Sequence, residues 1–254
     1  MLAERKEEGG FNYVEGGTGH PIVLLHGLMG GLSNFDSVYE FFTEKGYRVI
    51  LPEMPMYTLP LIKTHINSLS KYLESFLKFK NLTNITLLGN SLGGHVGLVY
   101  SKNHPERVNS LVLTGSSGLY ENAFGDSFPR RGDYEYIKRK TEDVFYNKAV
   151  ATKELVDEVF ESVNDRNRVI RTLAFSKSAI RHNMAPDLPH LKMPICLIWG
   201  RQDAVTPPDV AIKFHELLPD SELNWVEECG HAAMMERPDK FNEILYDFLK
   251  RRVV

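Results

Sequence analysis

Short apolar runs alternate along the chain with longer stretches whose apolar positions recur at helical spacing. Ile22–Leu25, Val49–Leu51, Ile85–Leu88, Leu111–Leu113 and Ile195–Trp199 are aliphatic or β-branched, and each is followed by Gly, Pro or small residues. Their hydrophobicity is nearly continuous rather than alternating, which predicts strands covered on both faces. Between them, Phe35–Lys45, Ile62–Phe79, Leu92–Asn103, Val210–Leu218 and Lys240–Lys250 carry amphipathic patterning. This alternation predicts a mostly parallel sheet flanked by helices. Phe11–Val14 adds an antiparallel strand at the start, and Leu223–Val226 the last strand.

From about Leu119 to His190 the rhythm breaks. Only helical signals occur there, such as Tyr134–Tyr146 and Lys153–Val163, with Pro129 and Gly132 at the entrance and Pro186, Pro189 and Pro194 at the exit. Such punctuation marks an insertion between two strands. The expected organisation is a core of residues 1–118 and 191–254, with residues 119–190 forming a helical cap over one end of the sheet.

Composition narrows the function classes. A chain of 254 residues suits one core with an insertion. The net charge of −3 gives no reason to expect nucleic acid, and Lys250-Arg251-Arg252 reads as a solvated helix end. Glu4-Arg5-Lys6-Glu7-Glu8 leaves no room for the apolar centre of a signal peptide. No apolar stretch approaches the roughly 18–20 residues of a membrane span. Two cysteines cannot define a disulfide framework, and Cys196, inside a strand run, reads as a buried small hydrophobe. The expectation is a cytoplasmic protein acting on a small molecule. The oligomeric state leaves no mark in the sequence.

Candidate chemistry starts at Ile85-Thr86-Leu87-Leu88-Gly89-Asn90-Ser91-Leu92-Gly93-Gly94, where a strand runs into Gly-x-Ser-x-Gly and a helix follows at once. A nucleophile on so tight a turn needs residues without bulk two places before and after it, which Gly89 and Gly93 supply. The pattern alone arises by chance in about one chain in ten of this length. Its place between a buried strand and a helix start is what makes it informative.

A serine attacking a carbonyl creates an oxyanion that needs donors aimed at it. The backbone N–H of Leu92 is one, and the loop His26-Gly27-Leu28-Met29-Gly30-Gly31 offers Leu28 N–H as the second. His26 reads as fixing that loop rather than as the base. The base is expected late in the chain, where His231 follows the last strand in Glu228-Cys229-Gly230-His231-Ala232. His20, His65, His95, His104, His182, His190 and His215 lack that setting. The acid is expected at a strand end, and Ile195–Trp199 leads through Gly200-Arg201-Gln202 to Asp203. The other strand-end position, Gly115-Ser116-Ser117-Gly118, offers no carboxylate. Acyl transfer through a serine needs no organic cofactor, and no metal is expected because no His, Cys, Asp or Glu group has ligand spacing. The aromatics Phe124, Phe128, Tyr134, Tyr136, Phe145, Tyr146, Phe160 and Phe175 suggest an apolar pocket for a small or medium acyl group.

With its Ser, Asp, His order, the chain resembles the α/β-hydrolase superfamily over nearly its whole length. Asn103-His104-Pro105-Glu106-Arg107-Val108 leading into Leu111-Val112-Leu113 looks like that superfamily's passage from helix to sixth strand. Gly89–Gly94, Leu32-Ser33-Asn34-Phe35, Gly46-Tyr47-Arg48-Val49-Ile50-Leu51 and Phe145-Tyr146-Asn147-Lys148 are similar to the branch containing the meta-cleavage-product hydrolases, which cleave C–C bonds in aromatic degradation. The resemblance implies an α/β-hydrolase fold with a mostly parallel eight-stranded sheet and an inserted cap. It puts the nucleophile on Ser91, the acid on Asp203 and the base on His231, with polar site positions on Asn34 and Asn90.

Three departures bear on substrate. Val159 stands where that branch carries a carboxylate-gripping arginine, and Ala232 where an aromatic residue follows the histidine. Leu51-Pro52-Glu53-Met54-Pro55-Met56-Tyr57 lacks the usual Asp-x-Pro-Gly pattern. Losing an arginine–carboxylate pair removes an anchor for an anionic dienoate, unless Arg130, Arg131, Arg171 or Lys177 replaces it. The sequence reading is therefore hydrolysis of carboxylic esters through an acyl-enzyme. C–C hydrolysis of the meta-cleavage type is the alternative. A hydrolase-fold binding protein with little turnover is a rival of another class.

Overall fold

The computed structural model describes residues 4–120 and 130–253; Phe124, Phe128 and Pro129 of the sequence reading lie outside them. The core is one eight-stranded sheet in the order β1-β2-β4-β3-β5-β6-β7-β8. Its strands are β1 (Lys6–Glu8), β2 (Phe11–Gly16), β3 (Pro21–Leu25), β4 (Arg48–Pro52), β5 (Ile85–Asn90), β6 (Val108–Thr114), β7 (Ile195–Gly200) and β8 (Ser221–Val226). The six from β3 onward run parallel, and β1 and β2 add an antiparallel edge.

The continuous hydrophobicity of the central strands follows from packing on both faces. On one face lie Val23, Leu25, Leu87, Leu111, Leu113, Leu197 and Trp199. They meet Leu69, Leu73 and Phe76 of α2 (Ile66–Phe79), Val96 and Val99 of α3 (Leu92–Asn103) and Val210 and Phe214 of the helix Pro208–Leu217. The alternate residues Ile22, Leu24, Leu88, Val112 and Ile198 face the other way. There they meet Val38 and Phe42 of α1 (Asp36–Glu44) and Phe241, Leu245 and Phe248 of the C-terminal helix Pro238–Arg252. Each large side chain buried this way contributes about 1.5–3 kcal/mol, so a polar residue on either face is costly.

Between β6 and β7 the described chain is helical: α4 (Tyr134–Glu142), α5 (Lys153–Asn164) and α6 (Arg166–Arg181). Asp133, Thr152 and Asp165 cap their N-termini by accepting from Tyr136, Leu155 and Arg168 N–H. The helices of the core are completed by α7 (Pro208–Leu217), α8 (Ala233–Glu236) and α9 (Pro238–Arg252).

Three elements differ from the sequence reading. β1 is an edge strand of three exposed charged residues paired only through its backbone. α6 buries Thr172, Ser176 and Ala179 beside Val169 and Phe175, and the small and polar members of that face dilute its apolar period. α2 starts at Ile66 rather than Ile62, because Leu61–Lys63 form a separate turn and His65 becomes the cap. Ile62 is left 88% exposed.

Parallel register brings the strand ends into line. Leu25 pairs with Gly89, Asn90 with Thr114, and Gly200 with Val226. The loops that follow β3, β5, β6, β7 and β8 therefore gather at one edge of the sheet. That is where open parallel sheets build their sites.

Candidate active site

The turn between β5 and α3 holds Ser91 at φ 53°, ψ −120°, a conformation non-glycine residues avoid. Such strain costs on the order of 1–3 kcal/mol and persists only where surroundings fix it. Here Ser91 N–H donates to Thr114 O at 3.1 Å, and Ser91 O accepts from Ser117 N–H at 3.2 Å. Asn90 Nδ2 donates to Thr114 O at 3.0 Å and to His231 O at 3.3 Å. Gly93 has no room for a side chain, since a Cβ there lies 2.8 Å from His26 O and closer still to Leu25 O. The first N–H of α3, that of Leu92, sits at the positive end of the helix.

Asp203 and His231 meet behind the turn, both more than nine-tenths buried. His231 Nδ1 lies 2.9 Å from Asp203 Oδ2, and the carboxylate also accepts from Val205 N–H, Thr206 N–H and the Thr206 hydroxyl at 2.8–2.9 Å. Every partner is a donor, which is what an ionised carboxylate requires. Nδ1 being committed to Asp203, Nε2 is the basic nitrogen of the ring. The two loops are tied to each other: Gln202 N–H donates to Cys229 O, and Cys229 N–H to Gln202 Oε1, both at 2.9 Å. Gly115, at φ +51°, lies against the imidazole, where a Cβ would come within 2.8 Å of His231 Nδ1. Gln202 and Gly115 escaped the sequence reading because each acts on a loop distant in sequence, and Thr206, three residues from Asp203, because a threonine before Pro207 carries no local sign of that contact.

His26 is buried and uses both ring nitrogens on backbone. Nδ1–H donates to Gly27 O at 3.0 Å, and Nε2 accepts from Met54 N–H at 3.3 Å. Burial lowers its pKa, which keeps it neutral in that role. The loop it fixes carries Leu28, and Gly30 N–H closes it onto Gly27 O at 3.2 Å.

Ser91 and His231 line one cavity together with Leu28, Asn34 and Asn90, so five of the predicted site residues converge there. Leu92 and Asp203 lie behind it. Asn90 offers a ligand only its acceptor oxygen, because its amide hydrogens serve Thr114 and His231. The far wall comes from the inserted segment: Lys140 and Thr141 of α4, Val144, Phe145, and Leu155 and Val159 of α5. Lys140 is the one permanently charged side chain among the described lining residues; Arg130, Arg131, Arg171 and Lys177 line no part of it. Of the described aromatics expected in the pocket, Phe145 alone lines it. Phe175 packs into the core, Tyr134 packs on Phe160, and Tyr146 is exposed. Val144, Phe145, Leu155 and Val159 make that wall mainly apolar.

Both cysteines are free and buried, and burial pushes the Cys229 thiol up to about 12. Among the described residues no helix is long and apolar enough to cross a membrane, and no three His, Cys, Asp or Glu side chains cluster as metal ligands.

Known proteins bear on this geometry. The family described by the alpha/beta hydrolase fold matches residues 20–238. A 2-hydroxy-6-oxononadienedioate/2-hydroxy-6-oxononatrienedioate hydrolase of Escherichia coli is 31% identical, over 91% of this chain and 87% of its own. A 2-hydroxy-6-oxo-6-(2'-aminophenyl)hexa-2,4-dienoic acid hydrolase of Metapseudomonas resinovorans is 30% identical, over 94% of this chain and 87% of its own. An alpha/beta hydrolase enzyme of solved structure, from the metagenome of lagoon sediments at Mar Chica, Morocco, is 50% identical with a TM-score of 0.82, covering 98% of this chain and 99% of that one. By sequence over most of its length and by the order of its strands, the chain belongs to the α/β-hydrolase fold family, on the side that contains the meta-cleavage-product hydrolases.

Proposed function

We propose that this α/β hydrolase cleaves a carbon–carbon bond in a 2-hydroxy-6-oxo-dienoate, with Ser91 as nucleophile, His231 as base and Asp203 as the acid that orients it. The observation that carries this reading is near-full-length similarity to hydrolases named for such dienoates. It puts first the activity that the sequence alone put second. The ester preference rested on three local departures, chief among them Val159 in place of an arginine, whereas the similarity extends over more than nine-tenths of the chain. Segment 119–190 acts as the cap in this reading, and Lys140 supplies a cation to a wall that is otherwise mainly apolar.

The chemistry follows from the substrate's own carbonyl. His231 Nε2 takes the Ser91 proton, and Oγ attacks the C6 ketone while the N–H groups of Leu28 and Leu92 hold the oxyanion. The attack follows ketonisation of the substrate, in which the C2 hydroxyl proton leaves and C5 gains one. Breaking C5–C6 then leaves an electron pair at C5 delocalised through C4 and C3 to the C2 oxygen, and His231 returns the serine's proton to that oxygen. Water, deprotonated by His231, then releases the acyl group from Ser91 as a carboxylic acid.

Val159 in the cavity wall favours a second reading, hydrolysis of neutral carboxylic esters. Absorbance loss of a synthetic 2-hydroxy-6-oxo-6-phenylhexa-2,4-dienoate is compared with release of p-nitrophenol from esters of increasing acyl length, alongside Ser91→Ala. A kcat/KM for the dienoate roughly 100-fold above the best ester is expected. The opposite ratio installs the ester reading, and turnover surviving in Ser91→Ala removes both.

A further inference from the structure

Glu236 closes α8, five residues beyond His231, and is nine-tenths buried. Its carboxylate gathers donors from the loop just before α8 and from a segment far away in sequence. Oε2 accepts from Gly230 N–H at 2.7 Å and Tyr146 N–H at 3.3 Å, and Oε1 accepts from Asn147 N–H. Beside it, His231 N–H donates to Val144 O at 2.9 Å. The two backbones touch, for a Cβ on Gly230 would lie 2.9 Å from Phe145 Cα and 3.0 Å from Tyr146 N. We propose that Glu236 is a positioning residue that clasps the inserted segment to the His231 loop, so that the pocket wall and the base move as one body.

The inference rests on the reading of His231 as base. Peptide N–H groups converging without a carbonyl between them need an acceptor of high charge density, and a carboxylate serves several at once. One end of the clasp holds the peptide that carries His231. The other holds the chain directly after Val144 and Phe145, which form the far wall of the cavity. A displacement of that wall during substrate entry therefore pulls on Gly230, and a closed wall restores His231 to its place. Catalysis is sensitive to such placement, with misalignment near 1 Å costing about 100-fold in rate.

Two variants separate charge from reach. Glu236→Asp keeps the charge but is one methylene short of spanning the segments. Glu236→Gln keeps the length but turns one acceptor into a donor facing peptide N–H groups. Backbone hydrogen exchange, which reads local opening, is expected to rise about 10-fold or more in residues 144–147 and 229–231 together in both variants. Turnover is expected to fall roughly 10–100-fold with KM held within about threefold. The acid limb of the kcat/KM profile moves to lower pH in Glu236→Gln alone, because a buried negative charge that favours imidazolium is lost there. A residue serving the fold alone would leave that limb and kcat per folded molecule in place.

Wild-type protein answers the case in which neither variant folds: the Gly230, Tyr146 and Asn147 amides should exchange slowly and at similar rates. Fast exchange at Tyr146 and Asn147, loosening of one segment alone, or kcat within twofold of wild type in both variants overturns the clasp. An active Ser91→Ala would sink the serine reading while leaving the exchange result to judge the clasp. An inactive Ser91→Ala beside fully active Glu236 variants would sink the clasp alone.

Discussion

The cavity has two walls of different origin. One comes from the turns after β3 and β5 and the loop after β8, each pinned by the register of a parallel strand and by buried hydrogen bonds to its neighbours. The other comes from α4, the residues after it, and α5, which touch the sheet mainly through side chains and the Val144–Asn147 seam. The pinned wall carries Ser91, His231 and the Leu28 loop, with Asp203 directly behind it. The inserted wall carries the groups that meet the rest of the substrate. Chemistry needs positions fixed to a fraction of an ångström, whereas a substrate's shape can be met by helices whose sequence is otherwise little constrained.

The sharpest way to break this division is to disturb the pinned wall without changing its volume. Asp203→Asn keeps the shape but replaces an acceptor oxygen with a donor facing Thr206 and His231, favouring the wrong imidazole tautomer. Turnover should fall about 10,000-fold with the fold intact. A variant that keeps a tenth of wild-type kcat would show that Asp203 serves only the turn.

Gly115→Ala comes next. A side chain at φ +51° is strained in itself, and its Cβ would meet His231 Nδ1 at 2.8 Å, displacing the ring. A loss of about 100-fold in kcat is expected, with a denaturation midpoint lowered by the equivalent of about 1–3 kcal/mol. A Cβ on Gly132, in the inserted segment, would meet nothing within 4 Å, so the same change is tolerated there. Equal effects at the two glycines would erase the contrast between the walls.

The same contrast explains what could be read from the sequence. The positions of Ser91 and Asp203 were legible because they follow strands of unbroken hydrophobicity, β5 and β7, through turns that carry glycine. β8, before His231, is half-buried and mixed in polarity, and there Gly230 and the place late in the chain gave the signal. α3 begins and ends where its pattern says, at Leu92 and Asn103. The inserted wall was not legible. Lys140 has two basic neighbours in Lys138 and Arg139, and nothing local says which of them faces the cavity. Glu236 reads as an ordinary acid before Arg237-Pro238, since its three donors belong to other loops. The order of preference between ester and C–C cleavage is weighed differently for a related reason: a missing arginine on one helix counts for less than similarity to dienoate hydrolases over more than nine-tenths of the chain.

The contact between α3 and α6, away from the cavity, makes a prediction of its own. His95, on α3, is fully buried, with Nε2 3.0 Å from Nδ1 of His182 at the end of α6 and Nδ1 3.5 Å from the Ser117 hydroxyl. Burial, and then the charge of His182, pull its pKa down to about 3. The unfolded chain binds a proton at this residue near pH 6.5 and the folded chain does not, so stability holds above that value and declines as pH falls toward 3. His20 and His26, also lowered by burial, act in the same direction. His95→Gln should remove about 2 kcal/mol of the loss between about pH 6.5 and 5, measured as urea midpoints at both pH values. Identical pH slopes in the two proteins would exclude His95 as an acid-sensitive tie between α3 and α6.

The smallest expected effect tests the inserted wall alone. Lys140 is solvent-exposed on α4 while lining the cavity, so its attraction for a substrate carboxylate is screened and worth about 0.2–1 kcal/mol. Lys140→Ala should therefore raise KM for a dienoate about 1.5–5-fold, leave kcat nearly unchanged, and have no effect on a neutral ester. Val159→Arg restores a cation to α5 on the same wall and is expected to lower KM for the dienoate, a planar guanidinium being the better partner for a carboxylate. The two substitutions together separate position from charge. If Val159→Arg offsets Lys140→Ala, any cation on this wall serves, and the inserted segment selects by charge. If Lys140→Ala lowers kcat instead of raising KM, the lysine belongs with the chemistry, and the division between a reacting wall and a selecting wall fails at that residue.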